Sequence, residues 1–100
     1  MARCIYTVSM HFSWEENKRE ANLEAHGLDF GDTERVFEGP TFTYEDDRFE
    51  YEEQRFVTLG FLNGVVVSIV YTETEHEIRV ISFRKATTKE EIILFESLEN

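Results

Sequence analysis

The dipeptide Asn63-Gly64 constrains this chain more than any other feature, because it separates two runs of β-forming residues. The runs are QRFVTLGFL before it and VVVSIVYT after it, and both place apolar residues at alternating positions. Asn-Gly is the strongest short hairpin signal, since both residues tolerate the positive φ angles of a type I′ turn. A two-residue loop here pairs Leu62 with Val65. The centre of the chain therefore predicts an antiparallel hairpin.

Two more alternating runs, TFTYE and EIRVISFRK, lie on either side of this hairpin and predict two more strands. Thr74-Glu75 is a weaker turn signal between the last two runs. A two-residue loop at this point would pair Thr72 with Glu77. The four runs together predict a four-stranded antiparallel meander.

Helices are predicted at both ends of the chain. Ser13 and Glu16 have the spacing of a capping box at the start of a first helix, which Gly27 would end in the left-handed conformation. A second helix is predicted over about residues 30–38, and a last helix after Thr88, with a second capping box. The expected fold is α+β, with two N-terminal helices, the meander and a C-terminal helix.

Length and composition indicate one compact domain over residues 1–100, with 41% hydrophobic residues to form a single core. A net charge of -11 argues against non-specific binding of nucleic acid and favours a basic protein partner. No apolar run approaches about 20 residues, and the first thirty lack a signal-peptide pattern. We therefore expect a cytoplasmic protein with no membrane contact. With the single Cys4 we expect no disulfide and no metal or other cofactor.

Positive charge is concentrated near the end of this acidic chain. Residues 77–91 hold four of the ten basic residues, Arg79, Arg84, Lys85 and Lys89. Residues 45–53, EDDRFEYEE, hold six acids and one arginine. This uneven distribution suggests that the basic residues serve one local site, while the surrounding acidity suits a protein partner and limits indiscriminate binding of nucleic acid.

The predicted pairing also assigns side chains to the two faces of the sheet. The face expected to pack on the helices carries Phe56, Thr58, Leu62, Val65, Val67, Ile69, Tyr71, Ile78 and Val80. The other face gathers polar side chains at one end, namely Arg55, Ser68, Thr72, Glu77 and Arg79. The α-carbons of Arg55 and Arg79 would lie roughly 12 Å apart, so that both guanidinium groups can reach one phosphate. Phe83 is expected on this open face, where its replacement by alanine would widen a groove and raise activity if the groove is the active surface.

The sequence resembles the BrnT ribonuclease toxins of bacterial type II toxin-antitoxin systems. Three segments carry the resemblance, in order: FSWEENKREANLEAHGLDF, DDRFEYEEQR and VYTE with IRVISFRKAT. The resemblance implies a RelE-like fold and a metal-independent endoribonuclease that arrests translation and growth. It also implies a BrnA-like antitoxin that silences the toxin and alone contacts operator DNA, and it is compatible with a toxin-antitoxin heterotetramer.

Metal-independent RNA cleavage needs a base, an acid and cations around the phosphate. The catalytic candidates are Arg55, Arg79, Arg84, His26 and Glu53, and the candidates for RNA binding are Lys18, Lys85 and Tyr51. Other interpretations stay open for several of them. Arg79 can form a surface ion pair, and Arg84 and Lys85 can keep an edge strand soluble. His26 can stabilise the end of a helix, and Lys18 can be a solvated helix lysine.

An alternative hypothesis is a non-catalytic module that binds an antitoxin on the same fold. The charge of -11 favours it, as do Ala25 and Glu52, which stand where the family has lysine and glycine. In either case we expect the partner to cover Arg55, Arg79 and Arg84. Its basic residues are expected to contact the acidic loop at Asp46, Asp47 and Glu50.

Overall fold

The computed structural model describes residues 10–48, 50 and 52–99. Within these residues the fold is α+β, with three α-helices and one sheet of five strands in the order β1-β5-β4-β3-β2. The helices within these residues include no candidate for a membrane-spanning segment. The elements are β1 His11–Ser13, α1 Glu16–His26, a 3-10 turn Phe30–Asp32, α2 Thr33–Phe37, β2 Phe42–Glu45, β3 Phe56–Leu62, β4 Val65–Glu73, β5 Glu77–Lys85 and α3 Thr88–Leu98.

The central hairpin and the antiparallel meander of β2 to β5 are confirmed. Leu62 pairs with Val65, and Asn63 and Gly64 have φ angles of 52° and 81°. Both positive angles suit a type I′ turn, whose twist matches that of the flanking strands. The local sequence therefore fixes this turn without help from the rest of the fold.

The prediction of four strands is wrong by one, because β1 adds a fifth strand parallel to β5. Ser13 pairs with Arg79 in this ladder, and its hydroxyl donates to a carboxylate oxygen of Glu77. Ser13 is thus not a helix cap. Helix α1 begins at Glu16, and Glu15 is its N-cap, which makes no side-chain cap hydrogen bond in the described part of the chain. Three residues are too few to give a strand periodicity in the sequence.

The observed ends of the helices lie close to the positions predicted from the sequence. Gly27 has a φ angle of 72° and ends α1 in the left-handed conformation, as predicted. The second helical segment is divided into the 3-10 turn and the short α2. The last capping box is formed by Thr87 and Glu90, one residue earlier than predicted. The predicted position was wrong because the Thr87-Thr88 and Glu90-Glu91 repeats give two overlapping patterns with the same spacing.

The second hairpin has a register different from the predicted one. The backbone N–H of Thr74 donates to the carbonyl of Glu77 at 2.9 Å, so Glu75 and His76 form the loop. Thr72 therefore pairs with Arg79 rather than with Glu77. This shift moves the pairing by two residues. Because side chains alternate along a strand, the side chains at the start of β5 keep their predicted faces.

A β-bulge then changes the faces along the rest of β5. Tyr71 pairs with Val80 but Val70 pairs with Ser82, which leaves Ile81 as the extra residue. Phe83 consequently turns to the helix-covered face, where it is completely buried in the main core. Its expected place on the open face is wrong, because regular alternation was extended through the bulge.

Asn22 of α1 completes the hydrogen bonding of Phe83. Its side-chain amide donates to the Phe83 carbonyl at 2.7 Å, and the Phe83 N–H donates to its Oδ1 at 3.1 Å. Strand β1 pairs only with residues 77–79 of β5. The Asn22 side chain therefore satisfies backbone groups that a longer neighbouring strand would pair, as buried backbone requires.

The sheet packs on both faces, so the molecule has two apolar clusters. The main core lies under α1 and α2, and it consists of Phe30, Val36, Phe37, Leu62, Val67, Ile69, Tyr71, Ile78, Val80 and Phe83. On the other face, which we call the second face, Leu94 of α3 packs on Val57, Leu59 and Val66. Helix α3 covers one part of the second face and leaves the rest accessible.

Candidate functional site

The second face is organised in three rows of side chains that run across the strands. The first row is Phe42, Leu59, Ser68 and Arg84, and the second is Tyr44, Val57, Val70 and Ser82. The third row continues the same pairing beyond β2 and β3, because the Asp46 N–H donates to the Arg55 carbonyl at 2.8 Å. It contains Asp46, Arg55, Thr72 and Arg79. Polar and charged residues therefore dominate one end of the second face.

A cavity of about 220 Å³ lies at the charged end. Arg55, Thr72 and Arg79 line it from the sheet, Lys18 from α1, and Glu53 from the segment before β3. The two arginines lie two strand spacings apart, so their α-carbons are about 10 Å from each other. Two guanidinium groups at this separation can bind the oxygens of one phosphate.

The cavity brings together four of the predicted site residues, Lys18, Glu53, Arg55 and Arg79. It also contains Glu15, which the sequence analysis did not select. Its position next to Trp14, directly before the first helix, is the feature of the sequence that could have indicated Glu15 as a site residue. Three cations and two carboxylates thus surround one small space. This set can bind an anion and exchange protons with it.

The other predicted residues lie elsewhere. His26 is exposed in the last turn of α1, about 12 Å along the helix from Lys18. Lys85 pairs with Val67 and thus lies on the opposite side of the sheet from Arg84. In the described part of the chain, neither His26 nor Lys85 lines the charged cavity. Tyr51 lies outside the described residues.

Arg84 lines a second, larger cavity of about 450 Å³ on the second face. Its guanidinium donates two hydrogen bonds, both 2.9 Å long, to the two carboxylate oxygens of Glu90. Lys89 also lines this cavity, whereas Arg79 lines the charged one. The basic residues of 77–91 therefore do not share one cavity, because the bulge and the start of α3 direct Arg79 and Arg84 to two neighbouring cavities.

Glu90 has two structural roles, since it also accepts the Thr87 N–H in the capping box of α3 at 2.9 Å. Burial acts to raise the pKa of the Glu90 carboxyl, but hydrogen bonds from Arg84 and Thr87 outweigh it, and the pKa lies below the ordinary value. The same carboxylate raises the pKa of Arg84. Arg84 is therefore held at the base of α3 by a bidentate ion pair.

Replacing Glu90 with glutamine is expected to lower the free energy of unfolding by about 1 kcal/mol at pH 7, because the amide can cap α3 but cannot pair with Arg84 as a charge. A lowered pKa in the folded state means that the carboxylate stabilises the fold above its unfolded pKa of about 4.5. This contribution is lost as the pH falls through the folded pKa. Urea unfolding of both proteins between pH 7 and pH 3 should show the difference narrowing below about pH 4.5.

Glu91→Gln is the matched control, because Glu91 lies in the same turn of α3 and no Arg84 hydrogen bond involves it. A difference between wild type and Glu90→Gln that stays constant from pH 7 to pH 3 would contradict the ion pair.

The acidic loop differs from its expected form at Asp46. This residue is only 4% exposed, and its two carboxylate oxygens accept hydrogen bonds from Arg48 at 2.8 and 3.0 Å. Asp46 is therefore not a surface charge that a partner can meet, although Asp47 and Glu50 are exposed. The described residues contain no group of three His, Cys, Asp or Glu side chains suited to hold a metal ion.

Comparison with known proteins agrees with the resemblance seen in the sequence. No curated protein matches the chain. The family model for the ribonuclease toxin BrnT of type II toxin-antitoxin systems matches residues 14–90. This segment contains all residues of the charged cavity and the Arg84–Glu90 pair. The chain therefore belongs to the BrnT family of ribonuclease toxins of type II toxin-antitoxin systems.

Proposed function

We propose that this chain is a cytoplasmic endoribonuclease toxin that cleaves RNA without a metal ion, at the charged cavity. The observation that carries the proposal is the meeting of Lys18, Arg55 and Arg79 with Glu15 and Glu53 around one space. Cations that surround a phosphate stabilise the additional negative charge of the pentacovalent transition state. Carboxylates beside them can accept a proton.

In the proposed reaction the 2′-hydroxyl oxygen of the substrate attacks the adjacent phosphorus atom. Glu53 or Glu15 accepts the hydroxyl proton, and the bond between phosphorus and the 5′-oxygen breaks. Lys18 protonates the departing 5′-oxygen, while Arg55 and Arg79 hold the two non-bridging oxygens. The products are a 2′,3′-cyclic phosphate and a 5′-hydroxyl. His26 has no part in this scheme, because it lies away from the charged cavity.

A toxin of this class has an antitoxin partner. We propose a BrnA-like antitoxin that covers Arg55 and Arg79 with acidic or carbonyl groups, forms a heterotetramer with the toxin, and contacts operator DNA by itself. The net charge of -11 supports a protein partner, because an acidic surface repels nucleic acid and attracts the basic residues of a protein.

The proposal is tested by producing the chain without its antitoxin. We expect growth arrest with loss of cellular RNA, and cleavage of single-stranded RNA by the purified protein in excess EDTA. The products should carry 2′,3′-cyclic phosphate ends, and RNA with 2′-O-methyl groups should stay intact because its nucleophile is blocked.

Two results would contradict the proposal. Cleavage that EDTA abolishes would exclude the metal-independent reaction. Normal growth and intact RNA at high soluble expression would instead support a non-catalytic module that binds the antitoxin.

A further inference from the structure

The larger cavity on the second face lies next to the charged cavity. Val57 and Val70 line the larger cavity. Val57 follows Arg55 by two residues and Val70 precedes Thr72 by two, and both Arg55 and Thr72 line the charged cavity. Two residues along a strand cover about 7 Å, and the side chains point to the same face. A polymer held at the arginines can therefore extend directly into the larger cavity.

The lining of this cavity combines an apolar surface with charged side chains at its rim, namely Glu45, Asp46, Asp47, Arg48, Arg84, Lys89 and Glu90. Two of these acids are paired with arginines, Asp46 with Arg48 and Glu90 with Arg84. Phe42 and Tyr44 of the edge strand β2 form one wall, with ring centroids 6.1 Å apart and ring planes at 41°. Val57 and Val70 provide the sheet side, and Ile93 of α3 faces them. Aromatic and aliphatic walls of this kind suit a planar ligand.

Ser68 provides the polar group that points to a ligand. Its side chain is completely buried, it lines the cavity, and its hydroxyl oxygen has no hydrogen-bond partner among the described residues. Buried hydroxyl groups are nearly always hydrogen bonded, because an unmet one costs free energy. The neighbouring arginines, in contrast, have partners, since Arg84 is paired with Glu90 and Arg48 with Asp46. The hydroxyl is thus available to a bound molecule.

A nucleobase has the properties that this cavity requires. Its faces stack on aromatic side chains, and its edge carries hydrogen-bond donors and acceptors. A serine hydroxyl can donate to one such group and accept from another. Burial, followed by the nearby charge of Glu90, raises the pKa of Tyr44. The phenol therefore stays neutral at pH 7.

We propose that the larger cavity is the subsite for the nucleobase adjacent to the cleaved phosphate, where Tyr44 stacks on the base and Ser68 reads its edge. This inference rests on the proposed ribonuclease function and adds a basis for sequence preference. Arg84 borders the same subsite, so it contacts the bound nucleotide beside the base rather than the reacting phosphate.

Binding of non-cleavable RNA tests the subsite. The probes are 2′-O-methyl hexamers of adenosine, cytidine and uridine, measured against wild type, Ser68→Ala, Tyr44→Leu and the control Ser97→Ala. Ser97 is a suitable control because its hydroxyl donates to the Leu94 carbonyl within α3 and does not line the cavity. Wild type is expected to prefer one hexamer.

The two cavity variants should differ in a characteristic way. Ser68→Ala is expected to weaken binding of the preferred hexamer about three- to tenfold and leave the others nearly unchanged, because one hydrogen bond is lost. Tyr44→Leu should weaken all three by about tenfold or more, because every base has a face that stacks. The thermal midpoint of Ser68→Ala should equal or exceed that of wild type, since the hydroxyl has no partner in the described residues.

Three outcomes would overturn the inference, and they are distinguishable. Unchanged preference in Ser68→Ala would show that the hydroxyl does not read the base. Variants that keep RNA binding but lose the antitoxin would assign the cavity to a side chain of the partner. Failure of wild type both to bind the hexamers and to cleave RNA would remove the proposed function together with the subsite.

Discussion

Replacing Arg79 with alanine is expected to slow RNA cleavage by about a hundredfold or more and to abolish the growth arrest caused by the toxin. Arg79 lines the charged cavity across from Arg55, and the loss of one donor to a developing oxyanion typically costs two to three orders of magnitude. The side chain is exposed and forms a 3.4 Å hydrogen bond to Ser13, so folding should be little affected. Single-turnover cleavage of a labelled RNA measures the effect.

The design of this experiment depends on controls that change charge equally. Arg35→Ala removes one positive charge from α2, where Arg35 bonds to Asn63 and pairs with Asp32 outside both cavities. It should cleave RNA at the wild-type rate. Arg79→Lys should show an intermediate rate, because lysine keeps the charge and loses the fork that holds two oxygens. Wild-type cleavage by Arg79→Ala would remove Arg79 from the site.

Replacing Phe83 with alanine is expected to lower the free energy of unfolding by about 3–5 kcal/mol, without a gain in RNA cleavage. Phe83 is completely buried among main-core residues such as Ile69 and Val80, so truncation removes apolar contacts and leaves a cavity. A domain of this size has about 5–15 kcal/mol of stability in total. Urea unfolding followed by circular dichroism should therefore show a much lower midpoint.

Phe95→Ala is the matched control for this loss, because Phe95 is 47% exposed on α3 and contacts Phe61 at the surface. It should cost about 1 kcal/mol. A Phe83→Ala protein with wild-type stability and faster RNA cleavage would instead place Phe83 on the second face and contradict the bulge at Ile81.

The two hairpins show how far local sequence can determine a fold. Asn63-Gly64 fixes its turn because these residues adopt the required positive φ angles with little strain. Thr74-Glu75 contains no such residue, so the second turn is placed by packing, and its loop is formed by Glu75 and His76. The wrong turn position did not change the predicted face of Arg55, Thr72 and Arg79. A shift of two residues preserves the faces and brings Arg79 directly opposite Thr72.

The position of Arg84 shows what local sequence does not determine. Strict alternation from Arg79 onward would turn Arg84 toward the main core, whereas the bulge at Ile81 turns it toward Ser68 and Glu90. A bulge inserts one residue according to the needs of packing on both sides of the strand. Here it places Phe83 in the main core and within reach of Asn22. Its position depends on residues about sixty positions away in the chain.

By itself, the sequence determined the central hairpin, the end of α1 at Gly27, the helix-covered face of β3 and β4, and the shared location of Arg55 and Arg79. These features depend on backbone preferences of single residues or on an alternation of period two, both of which are local. Only the tertiary structure decided the parallel strand β1, the bulge in β5, and the separation of Arg79 from Arg84. These features satisfy backbone groups and fill space between distant segments, which no local pattern records.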